Sequence, residues 1–142
     1  MNSWNAGDAR PSARVYGVAV RSGEVLLVRA RSRMEGAEVW WLPGGGIDFL
    51  ESPVEALSRE IVEETGLTLI SASLVDVVSD TWTRRNGETA HAIRIIYGIE
   101  VSSGGLRHEG DGSTDQARWV PISELEALEL APYARRAIAT IA

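Results

Sequence analysis

The chain has 142 residues, of which 44% are hydrophobic and 24% charged, a composition that excludes disordered, collagen-like and disulfide-rich classes and suits one globular domain. Its net charge of -6 opposes binding to DNA or RNA, because affinity for these polymers comes mainly from cationic contacts with phosphates. There is no cysteine, and all 14 basic residues are arginine, which excludes thiolate catalysis, cysteine-ligated zinc and lysine Schiff bases.

The amino-terminal segment, residues 1–12, is polar and contains Pro11, which predicts a flexible arm ahead of one domain over residues 13–142. The segment lacks the apolar centre of a signal peptide, and no apolar run approaches the roughly 18 residues that span a membrane. We therefore expect a cytoplasmic protein with no membrane partner.

Two runs of β-branched and aliphatic residues follow, Val15 to Val20 and Val25 to Val28, and Ser22-Gly23 between them predicts a turn. Together they indicate a β-hairpin. The next ten residues contain three arginines and predict a loop before the short apolar stretch Val39 to Leu42. The run from Pro43 to Gly46 is expected to break regular structure.

A helix is predicted to begin at Ser52 and to end at Gly66. Ser52 suits the N-cap, Pro53 the first helical position, and Glu55 stands three residues after the cap, as in a capping box. Gly66 supplies the stop, because glycine readily adopts the left-handed conformation that ends many helices. An apolar stripe is expected to pack inward from this helix: Val54, Leu57 and Ile61.

The second half of the chain predicts two long strands and a helical end. Leu67 to Val78 and Ala90 to Val101 are rich in Val and Ile and flank the turn signal Asn86-Gly87. A polar loop and the short strand Ala117 to Val120 precede one or two helices, with Pro132 at the break. This order predicts an α/β fold of the α+β type, with a mixed sheet between helices, and does not fit a parallel Rossmann pattern.

Glycine, glutamate, arginine and two aliphatic residues stand at defined spacing between positions 45 and 67. They are Gly45, Glu51, Arg59, Glu60, Ile61, Glu63, Glu64, Gly66 and Leu67. Residues at i, i+3 and i+4 share one helix face, so Glu60, Glu63 and Glu64 are predicted to converge on one patch. Like charges repel unless a cation lies among them, and carboxylate oxygens prefer Mg²⁺, Mn²⁺ or Ca²⁺. The alternative, a solvated acidic face, is disfavoured by the adjoining Arg59 and glycine-rich loop.

These residues resemble the Nudix box, GX5EX7REUXEEXGU with U an aliphatic residue, at every defined position. The later run Arg118-Trp119-Val120-Pro121 also looks like that family. The resemblance implies an α/β/α sandwich and a Mg²⁺-dependent hydrolase, with Mn²⁺ as a second possible metal, that cleaves a phosphoanhydride bond in a nucleoside diphosphate linked to another group. It further implies metal ligands at Glu60, Glu63 and Glu64, a backbone carbonyl from Gly45, and an orienting role for Arg59.

The resemblance places the general base on a late loop before the last strand. Glu109 is the leading candidate there, beside Asp111 and Asp115, because a base needs reach and a suitable pKa. Glu63 or Glu64 is the alternative base.

Substrate contacts are predicted from arginine and tryptophan residues that flank the expected cleft. Arg29 and Arg84 are candidates to bind substrate phosphates through paired hydrogen bonds. The alternative is that they are surface residues that only increase solubility. Trp82, close to Asn86-Gly87, is the candidate to stack on a base. Trp40 and Trp41 are assigned to core packing, where strand alternation should bury one and expose the other.

The predicted partner is a small nucleotide, and its identity is left open. Leu74 to Arg85 contains neither the proline typical of ADP-ribose hydrolases nor the tyrosine typical of dinucleoside-polyphosphate hydrolases, which weakens both assignments. A nucleoside triphosphate and a nucleotide sugar remain as candidate substrates. The competing class is a non-catalytic Nudix-fold module that binds nucleotides or regulates a partner. Eroded carboxylates would favour that class, and all are intact here. A homodimer, common in the family, is left open.

Overall fold

The computed structural model describes residues 9–30, 39–84, 86–107 and 114–141. Eight strands, two α-helices and one 3₁₀ helix follow one another in these ranges. In chain order they are β1 (Ser12–Val18), β2 (Val20–Arg21), β3 (Glu24–Ala30), β4 (Trp40–Trp41), β5 (Gly44–Gly46), α1 (Pro53–Thr65), β6 (Leu69–Thr83), β7 (Thr89–Val101), β8 (Thr114–Pro121), the 3₁₀ helix (Ile122–Ala127) and α2 (Pro132–Ile141).

The strands form two four-stranded sheets. The first has the order β5-β1-β7-β6 and is mixed, because β1 pairs parallel with β7 while its other pairings are antiparallel. The second is antiparallel and places β3 at its centre, paired with β2, β4 and β8. The short strand β5 pairs only with β1 in this sheet and is therefore an edge strand.

Two buried clusters lie on opposite faces of the mixed sheet, one under each helix. Side chains alternate along a strand, so Val15 of β1 packs with Leu57 and Ile61 of α1, whereas Tyr16 packs with Tyr133 and other residues of α2. The predicted mixed sheet between helices is confirmed. No helix in the described part of the chain is both long and apolar enough to cross a membrane.

Helix α1 has the predicted ends. The Ser52 side chain accepts a hydrogen bond from the Glu55 backbone N–H, and the Glu55 side chain accepts one from the Ser52 N–H, which completes a capping box. Gly66 ends the helix at φ 78° and donates to the Val62 carbonyl. These ends determine where the acidic residues of α1 lie along the helix.

The hairpin around Ser22-Gly23 is also confirmed. Both residues have positive φ, 52° and 77°, as a two-residue type I′ turn requires. The predicted first strand is divided, however, because the chain leaves the mixed sheet after Val18 and enters the second sheet at Val20.

Four expectations need correction. Gly44–Gly46 forms a strand rather than a break, because β1 supplies it with hydrogen-bonding partners, and Arg29 lies in β3 rather than in a loop. Val54 is 43% exposed and does not pack inward with Leu57 and Ile61, because it faces an open groove on the outer side of α1. Trp40 is buried as expected, but Trp41 is half-buried against the same core cluster rather than exposed.

Candidate active site

The three glycines of β5 bring the backbone against the carboxylates of α1. The Gly44 N–H donates a 2.7 Å hydrogen bond to Oε1 of Glu64, a residue only 2% exposed. A Cβ atom at Gly45 would lie 2.8 Å from Oε1 of Glu60, which is closer than such atoms approach. Glycine at position 45 therefore allows Glu60 to lie directly on the strand.

Arg59 connects the loop before α1 to two glutamates of the helix. Its guanidinium donates to both carboxylate oxygens of Glu51, at 2.7 and 2.9 Å, and to Glu60 at 2.9 Å. It also reaches Glu63 at 3.4 Å and the Gly46 carbonyl at 3.1 Å. The hydrogen bond with Glu51, followed by that with Glu60, raises the pKa of Arg59 well above its usual range, although partial burial opposes the shift.

Glu51 in turn holds the loop that joins β5 to α1. Its Oε1 accepts a hydrogen bond from the Asp48 N–H at 2.9 Å, and its own N–H donates to the Asp48 carbonyl at 3.0 Å. Between them Leu50 has a φ of 71°, which a leucine adopts only when neighbouring contacts enforce it. The Arg59 hydrogen bond, and then that of Asp48, lowers the pKa of Glu51 to about 2.

The three glutamates of α1 do not share one open patch. Glu60 and Glu63 both contact Arg59, and the side chain of Glu63 is 45% exposed. Glu64 is buried and turned towards Gly44. Glu60 and Glu64 both lie against β5, next to Gly45 and Gly44, whereas Glu63 is directed towards Arg59 and solvent. That the three carboxylates share a cation stays a prediction.

Comparison with known proteins identifies the family. The NUDIX domain family model matches residues 8–141. This chain belongs to the Nudix family.

Individual relatives agree with that assignment. The Nudix chain is 30% identical over 119 residues to an ADP-ribose pyrophosphatase of Methanocaldococcus jannaschii, covering 83% of this chain and 66% of that protein. It is 26% identical over 123 residues to an RNA pyrophosphohydrolase of Bartonella clarridgeiae, covering 75% and 70%. A MutT NUDIX hydrolase structure from Burkholderia pseudomallei superposes with a TM-score of 0.74 at 30% identity, over 94% of this chain and 99% of that one.

The donor set of the Nudix box fits a hard divalent cation. Glu60, Glu63, Glu64 and the Gly45 carbonyl would supply the oxygen ligands that Mg²⁺ prefers, and the missing Cβ of Gly45 leaves Glu60 room beside the strand. In the arrangement described, however, no group of three acidic or histidine side chains among the described residues is placed to hold an ion. The single charge of Arg59 is shared among Glu51, Glu60 and Glu63, so these carboxylates keep a net negative charge.

The remaining predicted site residues of the Nudix chain lie on three different segments. Arg29 lies in β3, opposite Trp40 of β4 and Gln116 of β8. Trp82 lies near the end of β6 and is 43% exposed, and Arg84 follows it, 4.0 Å from Glu88 across the hairpin turn. Glu109 and Asp111 lie outside the described residues.

A cluster that the sequence interpretation missed surrounds Arg94 of β7. This arginine is 4% exposed and donates to both carboxylate oxygens of Asp80, at 2.9 and 3.1 Å, and to the Tyr16 hydroxyl at 2.8 Å. Four aromatic rings lie within 5.8 Å of its guanidinium carbon: those of Tyr16, Trp41, Trp82 and Tyr133. Burial acts to lower the pKa of Arg94, but the Asp80 contact and the other surrounding groups keep it above its usual value.

Tyr133 of α2, whose ring centroid lies 4.4 Å from the Arg94 guanidinium carbon, has a buried hydroxyl. Burial, and then the nearby Tyr16, raises the pKa of the Tyr133 hydroxyl, and the charge of Glu64 adds to this increase. Arg94 and Arg14 oppose it. The Tyr133 hydroxyl and the Trp41 indole N–H are buried, and neither has a hydrogen-bond partner among the described residues. The sequence signal was an arginine at the inward-facing register of a strand, between Ala92 and Ile96.

Proposed function

We propose that this protein is a Mg²⁺-dependent hydrolase that cleaves the phosphoanhydride bond of a nucleoside diphosphate linked to another group. The observation that carries the proposal is the packing of β5 glycines against Glu60 and Glu64, with Arg59 joining Glu51, Glu60 and Glu63. A module that only binds nucleotides does not need all of these carboxylates. Their presence together therefore favours a catalytic role.

Glu60, Glu63 and Glu64, with the Gly45 carbonyl, would hold the cation. When bound, a divalent ion neutralises phosphate charge and lowers the pKa of an attacking water. Arg59 orients Glu60 and Glu63 through its hydrogen bonds and is itself fixed by Glu51. Glu109 is the proposed general base, with Glu63 or Glu64 as the alternative.

Arg29, Trp82 and Arg84 are proposed to contact the rest of the substrate. Trp82 offers an exposed ring at the edge of the Arg94 cluster, which suits stacking on a base. Replacing Trp82 with Ala is expected to raise KM more than it lowers kcat. Stacking on the base would be equally strong in the bound substrate and in the transition state, and losing such a contact weakens binding without slowing the chemical step. Normal kinetics in a destabilised variant would instead assign Trp82 to the core.

A substrate panel assayed with and without metal tests the activity. ADP-ribose leads the panel because one relative is named as an ADP-ribose pyrophosphatase, followed by nucleotide sugars and nucleoside triphosphates. We expect release of monophosphate or pyrophosphate only with Mg²⁺ or Mn²⁺, and reversible loss in EDTA, because clustered carboxylates repel phosphates without a bridging cation.

Undiminished hydrolysis in EDTA would refute the metal requirement. Absence of hydrolysis across the panel, with nucleotide binding retained, would favour the non-catalytic module. RNA with a 5′-triphosphate completes the panel because another relative is named as an RNA pyrophosphohydrolase. The net charge of -6 predicts that such a polymer is the poorer substrate.

A further inference from the structure

Two arginines on one face of the mixed sheet donate to the same phenol oxygen. Nε of Arg14 lies 2.6 Å from the Tyr16 hydroxyl oxygen, and Nη1 of Arg94 lies 2.8 Å from it. Tyr16 is 2% exposed, so these contacts hold the hydroxyl inside the fold. A hydroxyl oxygen accepts two hydrogen bonds, and both of its acceptor positions are used here.

The charges of the two arginines are balanced differently. Asp80 pairs with Arg94 through two hydrogen bonds, so the buried charge is neutralised where it lies. Arg14 is half-buried, and across the described ranges of the chain no carboxylate forms an ion pair with it. Its Nε is committed to Tyr16, while the two terminal nitrogens form no hydrogen bond with any described residue. Among the described residues, Arg14 is therefore a cation held in place through Nε, and its Nη1 and Nη2 remain available to a ligand.

Arg14 lies next to the strand that carries the proposed metal site. In the β1–β5 pairing Arg14 is opposite Gly46, and its Nη1 lies 4.0 Å from the position that a Gly46 Cβ would take. The Gly46 carbonyl accepts from Arg59, and the preceding Gly45 contacts Glu60. Gly46 thus contacts Arg59 through its carbonyl and lies beside Nη1 of Arg14, so a phosphate bound at Gly46 would lie within reach of Arg14.

We propose that Arg14 binds a phosphate group of the substrate, that Tyr16 is a positioning residue for Arg14, and that the Arg94–Asp80 pair holds Tyr16 in place. This inference rests on the proposed hydrolysis of a phosphoanhydride. The terminal nitrogens of an arginine whose Nε is already bound form a planar pair of donors that matches two phosphate oxygens. A side chain at position 46 would stand beside Nη1 of Arg14, and glycine leaves that space unfilled.

Kinetics of Arg14→Gln test the phosphate contact. We expect KM for the best substrate of the panel to rise at least about tenfold with kcat changed far less, since a hydrogen bond to a charged group is lost. Arg14→Lys should give an intermediate KM, because lysine keeps the positive charge but lacks the planar pair of terminal N–H donors. Arg136→Gln, on the exposed face of α2, makes the same change in net charge and should match the parent. A parent-like KM in Arg14→Gln overturns the proposal.

A double-mutant cycle tests the positioning role of Tyr16. Tyr16→Phe keeps the buried ring and removes the oxygen that Arg14 contacts. It should raise KM several-fold in the parent and have no further effect in Arg14→Gln, because residues that act through one another are not additive. Equal increases in both backgrounds would show that Tyr16 does not act through Arg14. Thermal melts of every variant separate this outcome from loss of folded protein.

Calorimetric titration with ADP-ribose and Mg²⁺ separates failure of this inference from failure of the proposed function. If the parent binds ADP-ribose without hydrolysing it, binding at least about tenfold weaker in Arg14→Gln still supports the phosphate contact. Equal affinity in the two proteins overturns it. If the parent does not bind ADP-ribose but hydrolyses another nucleotide of the panel, the KM comparison with that nucleotide decides, and an unchanged KM overturns the inference.

Discussion

Two hydrogen bonds from Arg59 to Glu51 make the folded state sensitive to acid. The pKa of Glu51 falls from an ordinary 4.5 to about 2 on folding, chiefly through Arg59 and then through Asp48. A carboxyl whose folded pKa is depressed stabilises the fold above its unfolded pKa and loses that contribution as pH falls through its folded pKa. The loss should therefore develop between about pH 4.5 and pH 2.

Glu51→Gln should remove part of this acid sensitivity. In urea unfolding at a series of pH values, the variant should be less stable than the parent above about pH 4.5, and the two curves should converge as pH falls towards about 2. Glu126→Gln, at an exposed carboxylate 3.8 Å from Arg135, is the matched control and should run parallel to the parent. Parallel curves for Glu51→Gln would show that Arg59 does not shift the Glu51 pKa.

At the scale of elements, the packing of β5 on α1 determines where Glu60 lies. Gly45→Ala would place a Cβ atom 2.8 Å from Oε1 and 2.9 Å from Cδ of Glu60. We expect Glu60 to be displaced and kcat to fall by on the order of a hundredfold, as small misplacements of catalytic groups can cause. Gly105→Ala is the control, because no atom lies within 4 Å of its added Cβ. Unchanged kcat in Gly45→Ala would exclude a catalytic role for this close approach.

The elements were predictable from sequence where a local signal decides them. The capping box at Ser52, the stop at Gly66 and the Ser22-Gly23 turn are all encoded within a few residues, and each is confirmed. The β5 strand was not predictable, because three glycines have no strand preference and only pairing with β1 orders them. The contact between Glu64 and the Gly44 N–H was not predictable for the same reason, since the two residues are 20 positions apart.

The Arg94 cluster also could not be predicted from local sequence, because its members are far apart along the chain. Arg94 and Tyr16 are separated by 78 residues and meet only because β1 pairs parallel with β7. The sequence could have indicated that Arg94 shares the inward register of Ala92 and Ile96. It could not have indicated that Asp80 and Tyr16 would satisfy the arginine there, since that depends on strand order and register.

For the molecule as a whole, Arg59 reduces the repulsion among the carboxylates of an acidic site. The chain has a net charge of -6, and Glu51, Glu60 and Glu63 all lie within 3.4 Å of this one guanidinium. Their mutual repulsion is therefore offset inside the fold. A divalent cation that binds only the folded protein should add stability to this arrangement by mass action.

Thermal melts with and without Mg²⁺ measure that added stability. At a Mg²⁺ concentration of about 100 times its Kd, the gain is about 2.7 kcal/mol, which corresponds to a rise in Tm of roughly 5–10 °C for a domain of this size. Glu63→Gln should lose most of that rise and lower kcat by at least about a hundredfold, because it removes an exposed charge that faces the cation. Its Tm without metal should stay near that of the parent, since losing the 3.4 Å contact with Arg59 is offset by relief of repulsion with Glu60. Glu126→Gln should keep the full Mg²⁺ response. A parent Tm that does not respond to Mg²⁺, together with parent-like kcat in Glu63→Gln, would identify this helix face as a solvated acidic surface.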